Sequence, residues 1–156
     1  MFRSDCFILL YGCGLALVAI LGCGPSGPKL YPVRGKVTVK GKPASYALVF
    51  LHRVGRSDPN EPVPYGQVGD DGNFSITTVK KGDGAQIGEY MITVDWPDMS
   101  KSPDGNGQRP DALNGAYDKP TESKIKAVVK EGENTLPPLD LTPGPPRKVS
   151  ADANNK

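Results

Sequence analysis

From Val33 onward the apolar residues recur at every second position, not every third or fourth. Val33, Val37 and Val39 share a face with Gly35, while Arg34, Lys36, Thr38 and Lys40 occupy the other. Such alternation predicts a strand with one buried and one wet face. Gly41-Lys42-Pro43 reads as a turn, and residues 44–52 (ASYALVFLH), apolar on both faces, read as a more central strand. A proline-rich loop over 57–64 precedes a short strand near 65–69. Asp70-Asp71-Gly72 supplies a tight turn, after which Phe74 and Ile76 alternate with Ser75 and Thr77.

The loop GDGAQIG (82–88) leads to a strand at 89–96, with Tyr90, Ile92, Val94 and Trp96 inward against Glu89, Met91, Thr93 and Asp95. Ile125, Ala127 and Val129 alternate with lysines 124, 126 and 130. A turn at 131–134 opens a last strand, 135–142, in which Pro137-Pro138 imply a bulge or an edge position. Downstream of the N-terminal segment no stretch of helical length carries apolar spacing at i, i+3, i+4 and i+7. The expected fold is all-β, a seven-stranded Greek-key β-sandwich over residues 33–142.

The N-terminal segment is different. Residues 6–22 (CFILLYGCGLALVAILG) are uncharged and mostly apolar, and Arg3 with the start amine makes the preceding region net positive despite Asp5. That layout is a secretory signal. Its end, Ile20-Leu21-Gly22-Cys23, resembles the lipobox of bacterial lipoprotein precursors, with Leu21 bulkier than the usual occupant. The resemblance implies cleavage after Gly22 and a diacylglyceryl thioether, then N-acylation, on Cys23. A thiol suits the step because it is nucleophilic enough near neutral pH to take the lipid selectively. Cys13 follows Leu10 and Gly12, but the apolar stretch ahead of Gly12 is short for a signal. An uncleaved membrane anchor is the alternative, since such a span lies at the lower limit for a hydrocarbon core of roughly 30 Å.

Residues 24–32 (GPSGPKLYP) read as an extended tether after the lipidated cysteine, and 143–156 as a disordered tail. All three cysteines lie at positions 6, 13 and 23, so no disulfide framework is expected in the domain. Gly24, where an aspartate would signal inner-membrane retention, favours an outer-membrane destination by that sorting rule.

The order of short motifs resembles the carboxypeptidase-regulatory-like domain, a transthyretin-like (prealbumin-type) sandwich. The residues carrying it are Val33/Gly35/Val37, Gly41/Pro43, Asp71/Gly72/Phe74 and Gly88/Tyr90/Ile92/Val94. With the lipobox and the stretch from Pro110 to Leu141, the chain is similar to small lipoproteins of this type from planctomycete-like bacteria. The resemblance implies a non-catalytic binding or structural module in the cell envelope. A transthyretin-like branch hydrolyses 5-hydroxyisourate, but with histidines and a C-terminal Tyr-Arg-Gly-Ser; this chain has one histidine and ends PRKVSADANNK.

Composition narrows the chemistry. Net charge is +2, with lysine and arginine interspersed among acids, so nucleic acid is not an expected partner. His52, the sole histidine, reads as a partly exposed strand residue and not as a general base. No zinc set exists in the mature chain. Asp104, Asn106, Gln108 and Asp111 alternate in a glycine-rich loop, yet Arg109 and Gly115 stand where a calcium loop needs glycine and glutamate; a solvated loop is expected. Gly82-Asp83-Gly84-Ala85 lacks the ending of a phosphate loop. No catalytic residue, cofactor or metal is therefore expected. The expected partners are the membrane, through the lipid, and an envelope protein or polysaccharide met by loops 53–64 and 97–120. A glycan-binding module using Tyr65, Trp96 or Tyr117 as a stacking surface is the second reading.

Overall fold

The computed structural model describes residues 27–56 and 58–146. The signal segment, Cys23 and residues 147–156 lie outside them. Among the described residues there are nine strands and no helix: β1 (Val33–Val39), β2 (Lys42–Pro43), β3 (Leu48–Arg53), β4 (Tyr65–Gln67), β5 (Asn73–Ser75), β6 (Gly88–Asp95), β7 (Lys126–Val129), β8 (Asn134–Thr135) and β9 (Leu139–Leu141).

The strands form two sheets. One is centred on β1, which pairs antiparallel with β2 and β5 and parallel with β8 and β9; the other runs β4-β3-β6-β7, antiparallel throughout. Val33 and Val37 from the first sheet, and Val49, Leu51, Ile92 and Val94 from the second, share one core. Removing each such side chain from water contributes roughly 1.5–3 kcal/mol, which is what holds the sheets together.

Two of the nine strands were not anticipated, and both have local causes. The Lys42–Pro43 pair, expected only as a turn, continues far enough to pair with Thr38 and Val39. The closing strand is split because Pro137 and Pro138 have no N–H to give: β8 pairs at Val33 and Arg34, and β9 resumes at Val37. The strand expected over 44–52 begins instead at Leu48. Ala44 to Ala47 form a turn closed by Ala47 N–H to the Ala44 carbonyl (3.0 Å), with Tyr46 at φ 68° and exposed. The two small alanines are both fully buried there, so apolar content marked a core-facing turn as well as a strand.

Gly35 explains how β1 and β5 approach. Phe74 lies across it, and a Cβ at position 35 would stand 2.6 Å from the phenyl ring. Tyr90, expected inward, and Phe74, on the alternating apolar face, are both in the core, at 2% and 4% exposure. The pairing also reaches past the expected domain limits. Tyr31, in the stretch read as tether, is buried and exchanges backbone hydrogen bonds with Ala85. Gly144, in the stretch read as tail, donates to the Leu113 carbonyl at 3.0 Å.

Candidate functional site

Among the described residues, two concavities lie on the outward faces of the strands. The first lies over the four-stranded sheet. On β3, Val49 and Leu51 point into the core, so Leu48, Phe50 and His52 must point out. Across the ladder Phe50 faces Tyr65 on β4 and Thr93 on β6, while Leu48 faces Asp95. The Phe50 ring lies 6.2 Å from that of Tyr65 and 6.4 Å from His52, making a short aromatic row. The segment 97–120 folds over this face and leaves a cleft of about 730 Å³ lined by Phe50, His52, Asp95, Arg109 and Asp118.

That roof is fastened by Asp111. Its carboxylate accepts amide hydrogens from Trp96 (3.0 Å), Leu113 (2.9 Å) and Gly115 (2.6 Å). Beneath it Thr93 is only 4% exposed, and its hydroxyl meets His52 Nε2 at 2.8 Å. Burial lowers the His52 pKa, and the positive charge of Arg56 lowers it further. Burial raises the Asp95 pKa, with the Asp111 and Asp118 carboxylates adding to the effect. The cleft thus carries charges of both signs, and Thr93 is too enclosed to meet a substrate.

The second concavity lies at the corner where the sheets meet. Tyr65 and Thr77 exchange backbone hydrogen bonds (2.9 and 2.7 Å), carrying β4 alongside β5. Gly66 permits this, since a Cβ there would stand 2.7 Å from the Ser75 carbonyl oxygen. The outer faces of β1, β5 and β4 therefore run on continuously. Arg34 and Lys36 project from β1, beside Ser75 and Asn73 of β5 in the ladder. With Lys81 and Tyr65 they line a groove of about 1030 Å³ that no carboxylate lines among the described residues. Two acids stand at its margin. Glu133 reaches Arg34 at 3.9 Å with both side chains largely exposed, and Asp71 is held by the Asn73 backbone and side-chain amides.

The residues singled out from sequence fall as follows. Cys23 lies outside the described residues. His52 is the half-buried strand residue expected. The loop 104–111 does not bring its carboxylates together: Asp104 accepts from Asn106 and Gln108 amides, while Asp111 is turned to Trp96, Leu113 and Gly115. Among the described residues no three His, Cys, Asp or Glu side chains gather as a metal ion would need. In Gly82-Asp83-Gly84-Ala85 the backbone amides donate to Thr77 Oγ1 and to the carbonyls of Lys80, Ile76 and Tyr31, while the Asp83 carboxylate accepts from the amides of Thr78 (2.7 Å), Val79 (3.0 Å) and Lys80 (2.6 Å). Gly84 sits at φ +87° with its α-carbon pressed against the Tyr31 carbonyl, so the glycine serves backbone approach.

Of the three proposed stacking residues only Tyr65 presents its ring, at 46% exposure. Trp96 packs against the core and donates its indole N–H to the Ser45 carbonyl at 3.0 Å; Tyr117 packs there too, with its hydroxyl against Thr142. The long loops are tied to themselves. Arg56 caps the carbonyls of Asp58, Pro59 and Glu61, and Arg53 bonds Gln86 and Glu61. The set Arg34, Lys36 and Lys81 did not stand out from sequence, because Lys81 comes from a segment far from β1 and shares a groove with the other two only once β5 lies against β1. Comparison with known proteins gives no match: no family model, no curated protein and no solved structure matches this chain.

Proposed function

We propose that this chain is a lipoprotein, anchored in the cell envelope through Cys23, whose β-sandwich is a non-catalytic binding module. The observation that carries the binding reading is the corner groove. Its floor is β1, β4 and β5, fixed by backbone pairing, with Lys81 on the turn that follows β5 and the exposed Pro138 at the rim; its other exposed side chains are cations, amides and hydroxyls with one aromatic ring. Sites on paired strands hold their geometry better than sites on loops, and here the long loops spend their polar groups on themselves.

The carboxypeptidase-regulatory-like, transthyretin-type Greek key belongs to the same reading. It is supported by the way the chain passes between the sheets, β5 lying in one and its chain neighbours β4 and β6 in the other. Anchorage is supported by the apolar run ending in Ile20-Leu21-Gly22-Cys23, and an outer-membrane address by Gly24. Several acyl chains on one residue, at about 0.8 kcal/mol per buried methylene, hold a protein on a bilayer durably.

Intact-mass spectrometry of the protein from its native membrane, beside Cys23→Ala, tests the anchor. A chain starting at Cys23 with added lipid mass, absent in the variant, is the expected result. A mass beginning at Met1 means a spanning anchor and overturns the lipidation. The glycan-binding reading is favoured by a specific observation, the exposed Tyr65 ring backed by Phe50 at 6.2 Å.

A further inference from the structure

We infer that the groove at the sheet corner binds an acidic polysaccharide, with Arg34, Lys36 and Lys81 meeting its carboxylates or sulfates and Tyr65 meeting a sugar face. The inference rests on the binding-module reading above and assigns it a site and a ligand class.

Charge decides between the two concavities. The roofed cleft sets Arg109 against Asp95, Asp111 and Asp118, so it offers an anion no net attraction. The corner groove draws three cations from two parts of the chain, and among the described residues no carboxylate lines it. Glu133 beside Arg34 and Asp71 near Lys36 offset part of this charge, but two marginal carboxylates against three cations leave the groove net positive. The Glu133 contact is a 3.9 Å pair between side chains 77% and 62% exposed, the kind an incoming anion displaces easily. Asp71 is engaged by the two Asn73 donors at 2.9 and 2.6 Å.

The rest of the lining selects a sugar polymer among anions. Asn73 and Ser75 stand on the same outward face as Lys36 and Arg34, opposite them in the ladder. Amide and hydroxyl groups interleaved with cations suit a chain whose hydroxyls alternate with acidic groups. At about 1030 Å³ the groove is at the upper end for a small-molecule pocket, with room for more than one sugar. Tyr65 lines its edge and continues into Phe50 on the neighbouring strand, so a bound chain has an apolar ring to lie on as it leaves the cations. A single accessible aromatic is a poor platform for nucleic acid, where successive bases stack on successive rings.

The test uses the full chain purified from its membrane in detergent, with binding read by fluorescence anisotropy. The probes are labelled oligogalacturonate, chondroitin sulfate, dextran and a single-stranded oligonucleotide. Expected is saturable, salt-sensitive binding of one or both acidic polysaccharides and none of dextran; which of the two binds tells carboxylate from sulfate. Arg34→Gln/Lys36→Gln/Lys81→Gln should weaken binding by about tenfold or more, since charge-assisted hydrogen bonds are lost. Arg34→Lys/Lys36→Arg/Lys81→Arg should retain most of it, which separates charge from a folding defect. Tyr65→Ala should weaken polysaccharide binding as well. Equal binding of dextran, unchanged affinity in the glutamine variant, or oligonucleotide binding as tight as polysaccharide and indifferent to Tyr65 would each overturn the inference. Absence of binding by any probe also overturns it, while the mass measurement on Cys23 stands or falls separately.

Discussion

The ring of Phe74 occupies the space that a side chain at position 35 would need: a Cβ on Gly35 would lie 2.6 Å from Cζ and 2.7 Å from Cε1 of the phenylalanine. Phe74 is itself 4% exposed, so it cannot swing into solvent. Gly35→Ala should therefore destabilise the domain by about 1–3 kcal/mol through overpacking. Phe74→Ala should cost about 3–5 kcal/mol by leaving a cavity. Because the added methyl fills part of that cavity, the double variant should be less unstable than the two single losses added together. Urea unfolding of the four proteins measures this coupling, and strict additivity would show that the two positions do not compete for space.

His52 predicts a pH dependence in the mildly acidic range. Its folded pKa lies below the ordinary value of 6.5, through burial and then the Arg56 charge. The unfolded chain thus takes up the proton first. The contribution is fully present above about 6.5 and is lost as pH falls through the lower folded value. Thermal melts between pH 7.5 and 5 should show a decline that His52→Gln lacks. An identical slope in the variant would assign the decline elsewhere.

Asp83 and Asp95 predict opposite signs. For Asp83 burial pulls upward, but the amides of Thr78, Lys80 and Val79 outweigh it and its pKa is lowered. Its contribution is present above the unfolded value, near 3.8, and lost below it. Asp95, raised by burial and then by Asp111 and Asp118, is destabilising once ionised. Asp95→Asn should therefore raise the melting temperature at pH 7 and leave it unchanged near pH 3. Asp83→Asn should lower it at pH 7 and converge on the parent protein in acid. Parallel shifts at all pH values would argue against both assignments.

The period-two pattern identified the strands wherever one face was wet and the other dry. Val33, Val37 and Val39 on β1, and Tyr90, Ile92 and Val94 on β6, needed nothing beyond their spacing. It failed at Ala44–Ala47, where small apolar residues are buried by a turn, and at Thr93, a polar residue buried because segment 97–120 covers an outward face. Covering by a distant segment leaves no local periodic trace. The corner groove was hidden for the same reason. Arg34 and Lys36 read correctly as a wet strand face, but their meeting with Lys81 depends on β5 pairing with β1 and on the Tyr65–Thr77 bridge that joins the sheets.

Segment 97–120 hangs on one carboxylate, and its neighbour reports on it. Asp111 accepts from Trp96, Leu113 and Gly115, and Pro97 and Asp111 are bridged through their backbones. Asp111→Ala leaves three amides without their acceptor, which should destabilise the domain by about 1–3 kcal/mol. Asp111→Asn keeps one carbonyl oxygen and should lose less. Trp96 is the only tryptophan, so its emission is an unmixed signal. If the carboxylate fastens the roof, emission in Asp111→Ala shifts to the red under native conditions as water reaches the half-buried indole, and amide exchange rises over 97–116 while β3 and β6 stay protected. Loss of protection throughout both sheets instead would mean that Asp111 supports the whole fold and not the roof alone.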